Sequence, residues 1–171
     1  MQPRDLTLAD LDAVHAINEA EVPAVGSVSS DALTHIVMQS EIALVVQLDG
    51  DIAGFCLVLA PGADYGSQNY AWFSDRYEDF VYLDRIAIPP RFQRRGIGRV
   101  LYAEVERLAA ERRPTATDFA LEVNVRPRND RSLAFHAELG FVEVAQRETD
   151  YGARVSMMAK ALAGSAAGTP T

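Results

Sequence analysis

The chain has 171 residues, of which 49% are hydrophobic and 23% are charged, a composition typical of one globular domain with a full core. A formal net charge of −8 argues against a general nucleic-acid-binding surface, which needs a spread of basic side chains. No apolar run approaches the roughly 20 residues of a membrane span, and no signal-peptide pattern follows Met1. Cys56 is the single cysteine, so no intrachain disulfide forms, which favours a cytoplasmic protein.

Two short helices and a hairpin are predicted in the first third of the chain. Apolar residues at helical spacing predict helices over residues 7–19 and 30–40, each entered through a hydroxyl side chain that can cap it. Apolar and β-branched residues predict strands over 42–48 and 52–60, joined by an Asp-Gly pair typical of a hairpin turn. Residues 61–79 lack periodicity and are predicted to form a long loop, which favours a functional role.

The second half of the chain alternates between strand and helix patterns. The predicted elements are strands over 80–88, 119–124, 141–147 and 154–160 and helices over 97–113 and 130–139. Residues 163–171 are small or polar, have little to bury and are predicted to be disordered. We therefore expect one domain over residues 1–162.

A basic, glycine-containing loop, residues 93–98, connects the strand at 80–88 to the helix at 97–113. Free backbone N–H groups at a helix start, together with the positive end of the helix dipole, make an anion site. Gly96 and Gly98 carry no Cβ, so a phosphate can approach the main chain closely. Four arginines lie within nine residues of this acidic chain, so the sequence predicts a polyanion-binding site. These arginines are Arg91, Arg94, Arg95 and Arg99.

Two common phosphate-binding loops do not fit this spacing. A Walker-type loop needs a Gly-Lys-Ser/Thr ending, and a dinucleotide fingerprint needs a third glycine where Leu101 stands. The spacing Gln-x-x-Gly-x-Gly of residues 93–98, after a strand ending in Ile-x-Pro, resembles the acetyl-CoA loop of the Gcn5-related N-acetyltransferases. Residues 129–141 resemble that family's helix motif Asn-x-x-Ala/Ser-x-x-Phe/Leu-Tyr/His-x-x-x-Gly-Phe. The two motifs occur in the family's order, and the resemblance covers residues 79–145.

This resemblance implies an α/β (α+β) fold, with a central mixed, mostly antiparallel twisted sheet of about six to seven strands and about four flanking helices. In the family the central strands splay apart to admit acetyl-CoA, whose pyrophosphate lies on main-chain amides and whose pantetheine arm pairs with a strand. A helix N-cap also explains Asn129 without any ligand. The implied cofactor-binding residues are Ile86, Ala87, Ile88, Gln93, Arg94, Arg95, Gly96, Ile97, Gly98, Arg99, Asn129, Phe135 and His136.

The resemblance also suggests catalytic residues. The family's acid is often a Tyr seven residues after the motif Asn, and His136 occupies that position here. A His with a pKa near its ordinary value of about 6.5 could protonate the leaving thiolate. The alternative is that His136 only packs beside the cofactor, with water, Tyr102 or Tyr151 as the proton source.

The base is less directly indicated, because many relatives carry a Glu where this chain has Tyr82. Asp84 is our candidate base, since the strand's period of two would place it on the same face as Tyr82, Ile86 and Ile88. An ion pair between Asp84 and the adjacent arginine is the alternative interpretation.

Glu122, on the neighbouring predicted strand, is the second candidate base. Positioning of the two reactants can by itself contribute several kcal/mol, so direct deprotonation need not dominate. Cys56 lies in the middle of an apolar strand, which favours a core residue over an acyl carrier.

The acceptor pocket of the family is usually built by the first helical pair and the loop before the central strand, here residues 21–26 and 64–73. Aromatic and amide side chains of the second segment could close over an amine, or could form a hydrophobic cluster of the loop itself. The predicted substrate-binding residues are Glu21, Val22, Tyr65, Asn69, Tyr70, Trp72, Phe73 and Tyr82. A small amine, a peptide N-terminus and a lysine side chain all remain open as acceptors.

The sequence thus predicts a cytoplasmic N-acetyltransferase that transfers the acetyl group of acetyl-CoA directly to an amine, with no metal, nucleic acid or membrane partner. A non-catalytic acyl-CoA-binding module and an acyltransferase with another acyl donor are the alternatives. A homodimer is common among similar proteins.

Overall fold

A single seven-stranded mixed sheet organises the computed structural model, which describes residues 1–162; the predicted disordered tail at 163–171 lies outside the described residues. The strands are β1 (Pro3–Asp5), β2 (Ile42–Leu48), β3 (Asp51–Leu59), β4 (Phe80–Ala87), β5 (Asp118–Arg126), β6 (Val142–Glu148) and β7 (Arg154–Ala161). The helices are α1 (Leu11–Ala20), α2 (Ser30–Gln39), α3 (Gln68–Ser74), α4 (Ile97–Arg112) and α5 (Asp130–Glu138). Within residues 1–162, no helix is long and apolar enough to cross a membrane.

The strand order is β1-β2-β3-β4-β5-β7-β6, and every neighbouring pair is antiparallel except β4 and β5. This parallel pair is joined over only three residues of each strand, Phe80 to Tyr82 against Asp118 to Ala120. Beyond these residues the two strands diverge, which leaves backbone groups of both strands facing a gap. The predicted mixed, mostly antiparallel sheet with splayed central strands is confirmed.

Helices cover both faces of the sheet, and apolar spacing decides which side of each helix is buried. The α4 stripe of Ile97, Leu101 and Val105 packs into the core on one face. On the opposite face, α1 and α2 pack Val14 and Leu33 against residues of β2 and β3. From residue 30 onward, the predicted helices and strands agree with the structure within two residues at each end. The helix predicted over 7–19 begins four residues later, at Leu11, because residues 8–10 form a separate 3₁₀ turn, and β1 was not predicted.

Residues 61–79, predicted to be a loop, contain the helix α3. Ser67 caps this helix by accepting a hydrogen bond from the Tyr70 amide at 3.3 Å, and Tyr70 and Phe73 turn inward three residues apart. Both rings are buried beside Phe80 and Tyr82. Seven residues are about two turns, too few for a helical period to stand out in a sequence rich in Gly and Ser.

Candidate active site

A cavity of about 770 Å³ lies where β4 and β5 diverge. Residues of both strands form its floor, from Leu83 to Ile88 and from Leu121 to Asn124, and the first turns of α4 and α5 close two of its sides. The connection after α1, at residues 23–26, lines its remaining side together with Tyr151 of the β6–β7 turn. The cavity is therefore enclosed by the glycine loop, the starts of α4 and α5, and these two connections.

The start of α4 has the geometry of an anion site. Gly96, at the N-cap, has a φ of 80°, and no side chain caps the free amides of the first turn. Gly98 approaches the wall of the cavity so closely that a Cβ on it would lie 3.0 Å from Cζ of Phe135. Arg94, itself in the left-handed region at φ 62°, and Arg99 line the cavity beside these amides. The predicted loop therefore presents backbone donors and positive charge together.

Gln93 fixes this loop to its neighbours. Its Nε2 donates to the carbonyl oxygen of Ile88 at 2.8 Å, and its Oε1 accepts from Nη1 of Arg131 at 2.7 Å. Arg131 also lines the cavity and adds a third cation to this end, which the motif did not indicate because its position is variable in the motif. Arg95, a predicted cofactor residue, does not line the cavity, and its guanidinium lies 5.6 Å from the ring centroid of Phe92.

The remaining predicted cofactor residues lie around the same cavity. Asn129 caps α5 by accepting a hydrogen bond from the Ser132 amide at 3.0 Å, and it also lines the cavity, so the cap is present and contact with the cofactor stays a prediction. The others that line it are Ile86, Ala87, Ile88, Gly96, Ile97, Phe135 and His136.

A β-bulge in β4 corrects the predicted facing of Asp84. Leu57 of β3 opposes Arg85 and Val58 opposes Leu83, so Asp84 is the extra residue and the alternation of the strand shifts by one. Ile86 and Ile88 accordingly pack with the α4 core, whereas Tyr82 packs with the cluster that contains α3. The prediction that Asp84 shares a face with both isoleucines is therefore wrong, because a strict period of two assumes an unbroken ladder.

Asp84 is engaged by the protein on both oxygens. Its side chain is 4% exposed, Arg85 Nε donates to Oδ2 at 2.6 Å, and the hydroxyl of Tyr65 donates to Oδ1. Arg85 continues the network through Nη1 to Asn18 Oδ1 at 3.0 Å and to the Gly26 carbonyl at 3.3 Å. The ion pair weighed as the alternative role of Asp84 is thus present, and it fixes the connection after α1.

Glu122 is the carboxylate with the properties of a base. It lines the cavity from β5, and Tyr82 and Asn69 donate to its two oxygens at 2.7 and 2.9 Å. Burial raises its pKa to about 7, against the opposing effect of these two hydrogen bonds. A carboxylate with a pKa near neutrality can accept a proton at physiological pH.

His136 is buried, 4% exposed, and both ring nitrogens have protein partners. Nδ1 lies 2.7 Å from the Ser132 carbonyl oxygen, which can only accept, so Nδ1 carries the proton. Nε2 then accepts from the Tyr102 hydroxyl at 2.5 Å. Burial lowers the pKa of His136, which favours the neutral ring. In this arrangement the imidazole lines the cavity without directing an N–H into it.

The predicted substrate-binding residues divide into three groups. Glu21 lines the cavity, whereas Val22 beside it is exposed and does not. Tyr70 and Phe73 are core residues, because α3 turns them inward, and Trp72 packs against Phe73 and under Arg76. Tyr65, Asn69 and Tyr82 hold the two carboxylates Asp84 and Glu122 from behind. The segment 64–73 therefore supports the cavity instead of lining it.

Both signs of charge line the cavity. Arg94, Arg99 and Arg131 lie beside the starts of α4 and α5. Glu21 lies near them, since Nε2 of Gln93 is 3.5 Å from its Oε2, and burial raises the pKa of Glu21. Glu122 lines the cavity from β5. One cavity therefore offers cations for a phosphate-bearing donor and a buried carboxylate for an amine.

A family model described as the acetyltransferase (GNAT) family matches residues 11–141. The chain therefore belongs to this acetyltransferase family, whose members use acetyl-CoA, and it is a GNAT-type N-acetyltransferase. Acetyl-CoA fits this cavity: the free amides of α4 and the cations beside them suit its phosphates, and the gap between β4 and β5 suits its extended arm.

Solved structures share this fold at low identity. The ribosomal-protein-S18-alanine N-acetyltransferase from Escherichia coli is 22% identical, with a TM-score of 0.72 over 99% of this chain and 97% of that chain. Naa20 from Chaetomium thermophilum, solved with a bisubstrate analogue, is 19% identical, with a TM-score of 0.74 over 96% and 88%. Arabidopsis thaliana NAA60, solved with acetyl-CoA, is 16% identical, with a TM-score of 0.73 over 94% and 97%. No curated protein matched the sequence.

We expect Gly98→Ala to weaken CoA binding roughly tenfold, or about 1.4 kcal/mol. The added Cβ would lie 3.0 Å from Cζ of Phe135, so the ring must shift where the phosphate approaches. Isothermal titration with CoA measures the dissociation constant. Gly66→Ala is the control, because a Cβ there meets nothing within 4 Å and Gly66 lies outside the cavity lining. An unchanged affinity in Gly98→Ala would contradict the close approach.

Proposed function

We propose that the chain transfers the acetyl group of acetyl-CoA to the α-amine of a peptide, with Glu122 as the general base. The observation that carries this proposal is that one cavity is lined both by a basic helix start and by a carboxylate with a pKa of about 7. Bound acetyl-CoA would supply the thioester that acylates the amine. The residues of the chain bind the two partners, orient them and accept the proton.

At the donor end, the amides of the α4 first turn would hold the pyrophosphate, with Arg94 and Arg99 adding charge. The backbone of β4 from Ile86 to Ile88 faces the gap left by β5 and would pair with the pantetheine arm as an added strand. Gln93 fixes the end of this backbone segment, because its Nε2 donates to the Ile88 carbonyl. The donor is thereby aimed along the cavity toward Glu122.

At the acceptor end, which we place around Glu122, the carboxylate attracts a cationic amine, which must lose a proton before it can attack. Glu122 accepts that proton, and we prefer it to Asp84 because Asp84 is ion-paired with Arg85, whereas both hydrogen-bond donors to Glu122 are neutral. Tyr82 and Asn69 hold the Glu122 carboxylate at 2.7 and 2.9 Å, so its direction is fixed before the substrate arrives.

The leaving thiolate must gain a proton. His136 donates its one N–H to Ser132, so we propose that it shapes the wall of the cavity. The hydroxyl of Tyr151, which is 68% exposed on the β6–β7 turn and lines the cavity, is the proposed donor. Cys56 takes no part as a carrier, since it is buried and burial raises its pKa to about 12.

A peptide acceptor is favoured by the cavity and by the fold relatives. The acceptor end is bounded by two connections, residues 23–26 and the turn bearing Tyr151, so a chain could continue outward from a bound terminal amine. One of the fold relatives is named as acting on an alanine of a ribosomal protein. The cytoplasmic location, the homodimer and the absence of nucleic-acid and membrane partners stay predictions from the sequence.

A thiol-release assay with acetyl-CoA tests the proposal. The acceptors are short peptides with a free α-amine, the same peptides with a blocked N-terminus and an internal lysine, and small amines. We expect release with free α-amines only. Release with small amines alone would contradict the peptide acceptor and indicate a small-molecule substrate. Comparing turnover with acetyl-, propionyl- and succinyl-CoA would identify the acyl donor. Binding of acetyl-CoA without release by any acceptor would favour a binding module.

A further inference from the structure

Glu122 is held from the side opposite the cavity by a helix that was expected to bind substrate. Asn69 of α3 is 5% exposed, and its Nδ2 donates to Oε1 of Glu122 at 2.9 Å. The amide oxygen of the same side chain accepts a hydrogen bond from Nη1 of Arg147, on β6, at 2.7 Å. A continuous chain of hydrogen bonds therefore runs from Arg147 through Asn69 to the proposed base.

The chemistry of the two ends fixes the orientation of the amide in the middle. An arginine can only donate, so Oδ1 of Asn69 must face Arg147. The NH2 group then has to face Glu122, where it stabilises an ionised carboxylate better than a protonated one. The orientation of Asn69 thus depends on Arg147, 78 residues away in the chain.

The charge of Arg147 is not neutralised by a neighbouring carboxylate. Within residues 1–162, both hydrogen bonds of the Arg147 guanidinium go to neutral amide oxygens, those of Asn69 and of Gln68, the latter at 3.2 Å. Arg147 is also half-buried, so solvent screens its field less than that of a surface arginine. Its positive charge therefore lowers the pKa of Glu122.

We propose that Arg147 is a positioning residue that acts through Asn69 to keep the Glu122 carboxylate ionised and aimed into the cavity. This inference rests on the proposed function of Glu122 as the base. The titratable or charged groups that face Glu122 are Tyr82 and Asp84 from β4 and Arg147 from β6. Asp84 disfavours a second negative charge nearby, and Arg147 opposes that effect.

The test uses two substitutions and two independent measurements on the full chain. Arg147→Met removes the charge and the donor, and Arg147→Lys keeps the charge. Arg126→Met is the control, because Arg126 lies on the same strand as Glu122 but is exposed and paired with Glu148. The first measurement is the pH titration of the Glu122 carboxyl carbon by ¹³C NMR, with the signal assigned by its loss in Glu122→Gln. The second is the pH profile of kcat/KM with acetyl-CoA and one peptide.

In Arg147→Met we expect the Glu122 titration and the acid limb of kcat/KM both to move upward by roughly half a pH unit or more. Arg147→Lys should recover most of that shift, and Arg126→Met should match the wild type. A Glu122 titration that is unchanged in Arg147→Met would overturn the inference. A shifted titration with an unshifted acid limb would support the inference and contradict the role of Glu122 as the base.

Discussion

Glu122→Gln should lower kcat/KM for the amine by roughly 10²- to 10³-fold while leaving the dissociation constant of CoA unchanged. The amide keeps the size of the side chain but cannot take the proton. The acid limb near pH 7, which reports the pKa of Glu122, should disappear from the pH profile. Steady-state thiol release and CoA titration measure the two quantities separately. Glu111→Gln, on the exposed side of α4, is the isosteric control.

The raised pKa of Glu122 also makes a prediction about stability. The pKa of Glu122 is about 7 in the folded protein and near the ordinary value of about 4.3 in the unfolded chain. Between these two pH values the folded state therefore binds more protons than the unfolded state. The contribution of Glu122 to the free energy of unfolding is therefore present at low pH and lost as pH rises toward 7. Urea unfolding should show that the decline between about pH 5 and pH 7 is smaller in Glu122→Gln. An unchanged decline together with unchanged kcat/KM would exclude Glu122 as the base.

Local patterns in the sequence predict the residues at the donor end of the cavity. The glycine loop, the strand before it and the helix after it are consecutive, so spacing alone predicts an anion site at residues 93–98. Asn129 is similar, because its capping partner is only three residues away. No local pattern indicates Arg131, since its contact with Gln93 spans 38 residues.

The acceptor end depends on contacts between distant segments. Glu122, the proposed base, is held by Tyr82, 40 residues earlier, and by Asn69, 53 residues earlier, and contacts over such distances leave no local pattern. The orientation of Asp84 depends on a β-bulge, which the sequence of one strand does not indicate. His136 occupies the motif's position for an acid, yet its hydrogen-bonding state is set by Tyr102 from the preceding helix.

Arg85→Met should lower the free energy of unfolding by about 3–5 kcal/mol, because it leaves the Asp84 carboxylate buried without its cation. The side chain of Asp84 is 4% exposed, so solvent compensates little for the lost partner. Asn18 and Gly26 lose a donor at the same time, which loosens the connection that lines the acceptor end. Urea unfolding at pH 7 measures the loss. Arg107→Met, which breaks exposed ion pairs only, should leave the free energy of unfolding close to that of the wild type.

The double variant Asp84→Asn/Arg85→Met separates the buried charge from the lost packing. If the unpaired carboxylate causes most of the loss, removing its charge should restore most of the stability, since an uncharged amide can still accept from Tyr65. We expect the KM for the acceptor to be raised in Arg85→Met and in the double variant alike, because the donors to Asn18 and Gly26 are absent from both. A double variant as unstable as Arg85→Met would instead assign the loss to those two contacts. Arg85 would then stabilise the protein chiefly by fixing the acceptor connection and not by neutralising Asp84.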